Sequence, residues 1–319
     1  MPCAAERSSA ISTTARANGG RASSPRPKAS DMFAVAAPQI PVAHAIVLGL
    51  TQGLSEFLPI SSSGHLILVP WLFAWHELDA FPELKKTFDV ALHLGTLFAV
   101  LVYFWGDLKA FVPAGLRAIA RRGAVSHEER LPFLLVVSAL PGFVLGALLD
   151  SFIEKSLSQP WLVAVMLIIF GVVLLIADRA ATNREEGDFH LSEASLMGLG
   201  QAAALQPGVS RSGATMTVGR LLGFDRDAAA RISFLMSLPV TAGALVYKGA
   251  KLMADGGLPH GTGPAFFWGV VTSAITGLVA IHFLLRLLRT RSFAPFVVYR
   301  LMAGAAVLLL IVTGFRPAT

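Results

Sequence analysis

Two apolar stretches of this chain repeat one another. Adding 149 to each residue number carries 49–75, GLTQGLSEFLPISSSGHLILVPWLFAW, onto 198–224, GLGQAAALQPGVSRSGATMTVGRLLGF, without a gap. Gly49, Leu50, Gln52, Ser61, Ser63, Gly64 and Leu72 meet Gly198, Leu199, Gln201, Ser210, Ser212, Gly213 and Leu221, and Ser62 meets Arg211. Each copy is interrupted by a knot of Pro, Ser and Gly. The first copy brings an acid and a histidine, Glu56 and His65; the second brings an arginine between two serines. Ionisable groups inside apolar segments are costly unless they serve a purpose.

The other apolar runs set the fold class. Ten segments follow residue 42. Four are short, about 42–58, 61–75, 193–206 and 211–223, near or below the ~17 residues that cross a bilayer. Six are long enough to cross or nearly so: about 88–105, 131–150, 160–177, 228–248, 264–286 and 294–313. Only 14% of the residues are charged, against about 25% in a soluble domain. Strand alternation is absent, which argues against an outer-membrane barrel. The expectation is an all-α polytopic membrane protein.

A short pair broken at mid-depth reads as a re-entrant hairpin, which enters and leaves on one face. Repeat 1, 42–177, is then a re-entrant pair followed by three spans, and repeat 2, 193–315, the same. Three crossings leave the chain on the opposite face, so the second copy starts upside down. The pattern predicts six transmembrane helices plus two re-entrant helical hairpins in an inverted-topology repeat, their tips meeting near mid-membrane. One face collects Lys109, Arg117, Arg121, Arg122, Arg130, Arg179, Arg184, Arg286, Arg289 and Arg291; the other collects Lys85, Lys86, Lys155, Lys248, Lys251 and Arg316. The richer face is cytoplasmic by the positive-inside rule.

Residues 1–41 are expected to be a disordered tail or to follow a start assigned too early, with Met32 the true start. Arg7, Arg16, Arg21, Arg26 and Lys28 of that tail would cancel the charge bias. The net charge of +6 fits orientation and contact with anionic membrane lipid, and no nucleic acid is expected. The one cysteine, Cys3, excludes an intrachain disulfide.

The second knot, Pro207–Thr215 in PGVSRSGAT, frees the backbone and places hydroxyls where a helix restarts. A helix N-terminus offers unpaired N–H groups, and the guanidinium of Arg211 adds paired donors, which together make a seat for a phosphate. The spacing is not that of a nucleotide-binding loop. In the first knot, Gln52 and Glu56 are four apart and share a helix face. Glu56 suits a hard divalent cation, Mg²⁺ or Ca²⁺, shared with substrate oxygens, and Gln52 can add a carbonyl oxygen or instead bond a neighbouring helix. Ser61 fits best as the cap of the next helix. Ser62 and His65, three apart, read as a nucleophile–base pair. Asp89 and His93 could face the cavity but fit structural bonding near the interface better. Asp225, Arg226, Asp227 and Arg231 read as a solvated loop, and Tyr299 and Arg300 as anchors of the last span.

QGLSEFLPISSSGH and PGVSRSGAT resemble the two signature motifs of the bacterial undecaprenyl-diphosphate phosphatases of the bacitracin-resistance type. The resemblance runs from about Ala43 to Phe315. It implies a multi-pass enzyme of the bacterial cytoplasmic membrane, its site opening outward, that hydrolyses a lipid diphosphate to recycle the carrier for wall polymers. It places Glu56, Ser62, His65 and Arg211 at the family's essential positions, and Ser61, Ser63, Ser210, Ser212, Gly213 and Thr215 in the substrate-binding surroundings. Gln52 stands where the family often has Glu, which weakens a two-carboxylate metal site. A homodimer is an open expectation. The route is open too: Ser62 or His65 attacks the terminal phosphorus, or His65 activates water.

Three rivals remain in view. The phosphatidic-acid type of membrane phosphatase also uses SGH and SR elements, but needs a histidine soon after the SR that this chain lacks. A carrier that flips a polyprenyl phosphate would share the inverted repeat. A structural subunit would not need two chemically complementary knots.

Overall fold

The computed structural model describes residues 40–77, 79, 81–123, 126–181, 183–254 and 257–318, without the side chains of 150, 151, 154 and 155. The expected tail, up to residue 39, lies outside the described residues. These form eleven α-helices: α1 Val42–Phe57, α2 Ser62–Phe73, α3 Pro82–Tyr103, α4 Trp105–Arg121, α5 His127–Phe152, α6 Pro160–Asp178, α7 Leu191–Ala203, α8 Arg211–Leu221, α9 Arg226–Ala254, α10 Gly263–Leu288 and α11 Ala294–Val312. No strand occurs among the described residues beyond one isolated bridge, Arg184 to Phe224.

Helices α3, α5, α6, α9, α10 and α11 are long and apolar enough to cross a membrane, and they cover the six segments expected. The pairs α1/α2 and α7/α8 are shorter, at 16, 12, 13 and 11 residues. Helix α4 was not expected. Its longest uncharged run, 110–116, is shorter than any of the ten apolar segments. Phe111, Ala114, Gly115 and Ala118 are buried, while Trp105, Val112, Leu116 and Ile119 are exposed.

The two halves pack reciprocally. Helix α1 lies on α10, the second span of the other half, and α7 lies on α5, the second span of its own opposite. Small residues permit the approach. Gly49 and Gly53 share a face of α1, and a Cβ on Gly53 would collide with Thr276 Oγ1 and the Ser273 carbonyl of α10. A Cβ on Gly198 of α7 would lie 2.6 Å from the Ser138 carbonyl of α5. Such close backbone contact is how helices associate where no hydrophobic effect separates lipid from side chain.

Two of the three pairs of equivalent spans run in opposite senses. Lys251, near the end of α9, bonds Glu83 at the start of α3 at 3.1 Å. Arg231, near the start of α9, bonds Asp107, just past the end of α3, at 3.0 Å. Asp178 ends α6 and accepts from the amide of Phe293, which precedes α11. An inverted repeat requires this antiparallel arrangement. Arg226 and Arg231, read from sequence as members of a solvated loop, instead tie elements together: Arg226 bonds the buried Asp178 at 2.6 Å, and Arg231 also bonds Glu186 at 2.9 Å.

Candidate active site

Both knots turn the same way. Ser61 and Ser210, equivalent in the repeat, have φ of 78° and 76°. A non-glycine residue held in the left-handed region costs about 1–3 kcal/mol and persists only where its surroundings enforce it. Each serine also caps the following helix: Ser61 Oγ accepts from the amide of Gly64 at 3.3 Å, and Ser210 Oγ from that of Gly213 at 3.1 Å. The cap expected at Ser61 is therefore present, and the repeat reproduces it.

The knots are bonded to one another. The amide of Gly208 donates to Ser61 Oγ at 3.1 Å, and Ser212 Oγ donates to the Leu58 carbonyl at 3.2 Å. Beneath them lies Arg300, fully buried. Its guanidinium donates to the carbonyls of Pro59 in the first knot and of Gly208 and Val209 in the second, and to those of Met166 and Leu167 on α6. Each broken helix leaves carbonyls without an amide donor, and one side chain satisfies those of both breaks. This corrects the reading of Arg300 as an interfacial anchor.

Glu56 is where the two copies meet chemically. It is 6% exposed. Its Oε1 accepts from Arg211 Nη2 at 2.8 Å and Nε at 3.3 Å; its Oε2 accepts from Ser62 Oγ at 2.6 Å and Gln52 Nε2 at 3.0 Å. His93 Nε2 stands 3.6 Å from the same Oε2. Arg211 also donates to the Ser233 carbonyl at 3.2 Å. Glu56, Ser62, Ser63, His93, Gln201 and Arg211 line a cavity of about 270 Å³ whose other walls are largely apolar, from α3, α5, α7 and α9.

The structure divides the residues singled out from sequence. Glu56, Ser62, Ser63 and Arg211 line the cavity. Ser61, Ser210, Ser212, Gly213 and Thr215 lie behind it, buried, and bond the knots internally; Thr215 Oγ1 meets Ser233 Oγ at 2.6 Å. Gln52 is fully buried and reaches the cavity only through Glu56.

The expected Ser62–His65 pair is not formed. The Ser62 hydroxyl donates its hydrogen bond to Glu56, and His65 points elsewhere. Its Nδ1 lies 2.7 Å from the Ser61 carbonyl, which can only accept, so Nδ1 carries the hydrogen. In the neutral imidazole its Nε2 then accepts from Tyr299 Oη at 2.6 Å. Together His65 and Tyr299 line a separate, mainly apolar cleft beside α1 and α11. The i, i+3 spacing places two residues on one face of a helix, but it does not say which way each side chain turns. His93 takes the place at the carboxylate instead. Its i, i+4 relation to Asp89 was visible, and its depth was not. Gln201 was visible only as the counterpart of Gln52.

Glu56 is the one carboxylate in the cavity lining that a hard cation shared with a ligand could use. Gln52 Oε1 and Gln201 Oε1 are buried without a hydrogen-bond partner among the described residues, and Glu56 supplies a carboxylate. No group of three His, Cys, Asp or Glu able to hold a metal occurs among the described residues, so the chain does not build an all-protein cage there. Divalent cations at phosphate sites commonly rest on one or two carboxylates together with the phosphate oxygens.

Comparison with known proteins fits this geometry. The family described as Bacitracin resistance protein BacA matches residues 45–306. An undecaprenyl-diphosphatase of Pelobacter propionicus is 48% identical over 273 residues, 85% of this chain and 97% of the relative. One from Pelotomaculum thermopropionicum is 46% identical over 84% of this chain and 96% of the relative. One from a Nocardioides species is 43% identical over 85% and 97%. With the family matching residues 45–306 and nearly the whole length of these relatives covered at 43–48% identity, the chain belongs to the bacitracin resistance protein BacA family.

Proposed function

We propose that this chain is an integral membrane hydrolase that converts undecaprenyl diphosphate to undecaprenyl phosphate and phosphate, recycling the lipid carrier for cell-wall synthesis. Bacitracin sequesters the diphosphate, so abundant enzyme confers resistance. The observation that carries this reading is the buried Glu56, held between the hydroxyl of Ser62 and the guanidinium of Arg211 on one cavity wall. The likeness to the named relatives supports the same substrate.

The arrangement favours Ser62 as nucleophile. Its Oγ attacks the terminal phosphorus and its proton passes to Glu56 Oε2, already the acceptor at 2.6 Å. The bond from that phosphorus to the bridging oxygen breaks, and undecaprenyl phosphate leaves with the electron pair. Water then hydrolyses the phosphoserine. Arg211 presents paired donors that match two oxygens of a phosphoryl group, and these stabilise charge as it spreads over the equatorial oxygens. Its present partner, Glu56 Oε1, marks where such an oxyanion competes. Glu56 would hold a divalent cation against the diphosphate, where Mg²⁺ or Ca²⁺ would supply charge neutralisation. His65, bonded to the Ser61 carbonyl, holds the strained turn from which Ser62 projects.

The cavity sits beside the middle of α3 and the second half of α9, toward the face where α3 begins. That face carries fewer Lys and Arg than the other, so it is the outer side of the bacterial cytoplasmic membrane. The pairs α1/α2 and α7/α8 are re-entrant hairpins whose tips meet at the cavity.

Phosphate release from undecaprenyl diphosphate in detergent tests this function, since no bilayer exists there to flip a lipid across. Release by the wild type that a chelator suppresses, and that Arg211→Ala and Glu56→Ala abolish, is the expected result. No release by a folded wild type in the presence of Mg²⁺ or Ca²⁺ points to a carrier instead.

A further inference from the structure

We infer that this protein carries a second oxyanion site, on the face opposite the catalytic cavity, that takes the phosphate headgroup of a lipid. The end of α6, the α8–α9 turn and the start of α11 enclose a cavity of about 630 Å³ lined by Asp178, Arg179, Arg220, Arg226 and Ser292. It lies at the start of α9. The catalytic cavity lies along the other half of that helix, which is about 43 Å long at 1.5 Å for each of its 29 residues.

The chemistry is one-sided. Asp178 is the only carboxylate in the lining, and both its oxygens are occupied: Oδ1 by Arg226 Nε at 2.6 Å and Oδ2 by the amide of Phe293 at 3.1 Å. Arg220 is 2% exposed. Its terminal nitrogens donate to the carbonyls of Phe224, Asp178 and Ala180, while its Nε has no hydrogen-bond partner among the described residues and stands 3.6 Å from Asp178. Arg179 is exposed and has no acidic partner among the described residues. Asp225 lies close enough to Arg220 to offset part of the charge, but its Oδ1 caps the amide of Ala228. What remains accessible is a set of donors, Arg179, the Nη1 of Arg226 and the hydroxyl of Ser292, beside the N-terminal ends of α9 and α11, with the buried Arg220 adding positive charge behind them. Donors of this kind at the membrane edge select a phosphate oxyanion, and basic pockets between spans bind phosphate headgroups.

Native mass spectrometry of the full-length protein in nanodiscs tests the site. Discs of phosphatidylcholine alone are compared with discs containing phosphatidylglycerol or a polyprenyl phosphate, and thermal stability in detergent is followed with inorganic phosphate. The wild type is expected to retain the anionic lipid, and Arg179→Gln to weaken retention about fivefold, the worth of one interfacial cation, with phosphate release from undecaprenyl diphosphate in detergent unchanged. Arg226→Lys, which keeps the charge beside Asp178, is expected to retain more lipid than Arg179→Gln. Stabilisation by inorganic phosphate that Arg179→Gln removes assigns the site to a free oxyanion and overturns the lipid assignment if no lipid is retained. Equal retention of all lipids by the wild type and Arg179→Gln, with no effect of phosphate, overturns the site altogether.

Discussion

Arg211 Nη2 donates to Glu56 Oε1 at 2.8 Å, across a sequence separation of 155 residues. The cation comes from the second copy of a duplicated motif and the anion from the first, so neither half holds the site alone. Replacing Arg211 by Lys keeps the charge but loses the planar pair of donors. Arg211→Lys is expected to lower kcat about 10²–10³-fold, the cost of removing one preorganised donor from a developing oxyanion, with a smaller change in KM. Steady-state assay in detergent checks both.

Arg300 predicts stability more than rate. Five carbonyls from three segments accept from its guanidinium, and each left without a donor costs about 1–3 kcal/mol. Arg300→Met is expected to lower the melting temperature in detergent sharply. Arg300→Lys recovers only part, because a single ammonium cannot span both knots. An unchanged melting temperature for Arg300→Met would contradict the role given to it.

His65 and Tyr299 act as one unit, because the hydroxyl of Tyr299 is bonded to the imidazole at 2.6 Å. His65→Ala, Tyr299→Phe and the double variant are expected to be non-additive by about 1 kcal/mol in a double-mutant cycle of stability. Additive effects would separate the two residues.

The contact of α1 with α10 depends on the absence of a side chain at Gly53. A Cβ there meets the Ser273 carbonyl and Thr276 Oγ1, and the colliding carbonyl is backbone, which cannot swing aside. Gly53→Val is expected to destabilise by at least the ~1–3 kcal/mol typical of overpacking and to displace Glu56, one turn further along α1. Loss of stability together with activity, read by thermal denaturation and phosphate release, checks this.

Much of this was legible in the chain. Six apolar runs of sufficient length gave the spans, and the 149-residue offset paired Ser61 with Ser210 before any geometry did. The i, i+4 spacing of Gln52 and Glu56 put them on one face, and they are hydrogen-bonded. Other features were hidden for physical reasons. Arg300 binds backbone carbonyls, and no side-chain pattern shows which carbonyls a broken helix leaves free. His65 turns from Ser62 toward Tyr299 and His93 reaches Glu56 because a helix face fixes a direction, not the neighbour that fills it. Helix α4 escaped because its uncharged run, 110–116, is only seven residues long.

Acid-quench of a single turnover with undecaprenyl diphosphate labelled on its terminal phosphorus tests most directly whether Ser62, deprotonated by Glu56, takes the phosphoryl group. Label is expected to appear on Ser62 of the wild type and to be absent from Ser62→Ala, whose phosphate release falls by about 10⁴-fold or more. Phosphate released at the wild-type rate by Ser62→Ala, with no label trapped on the protein at any time, would contradict it.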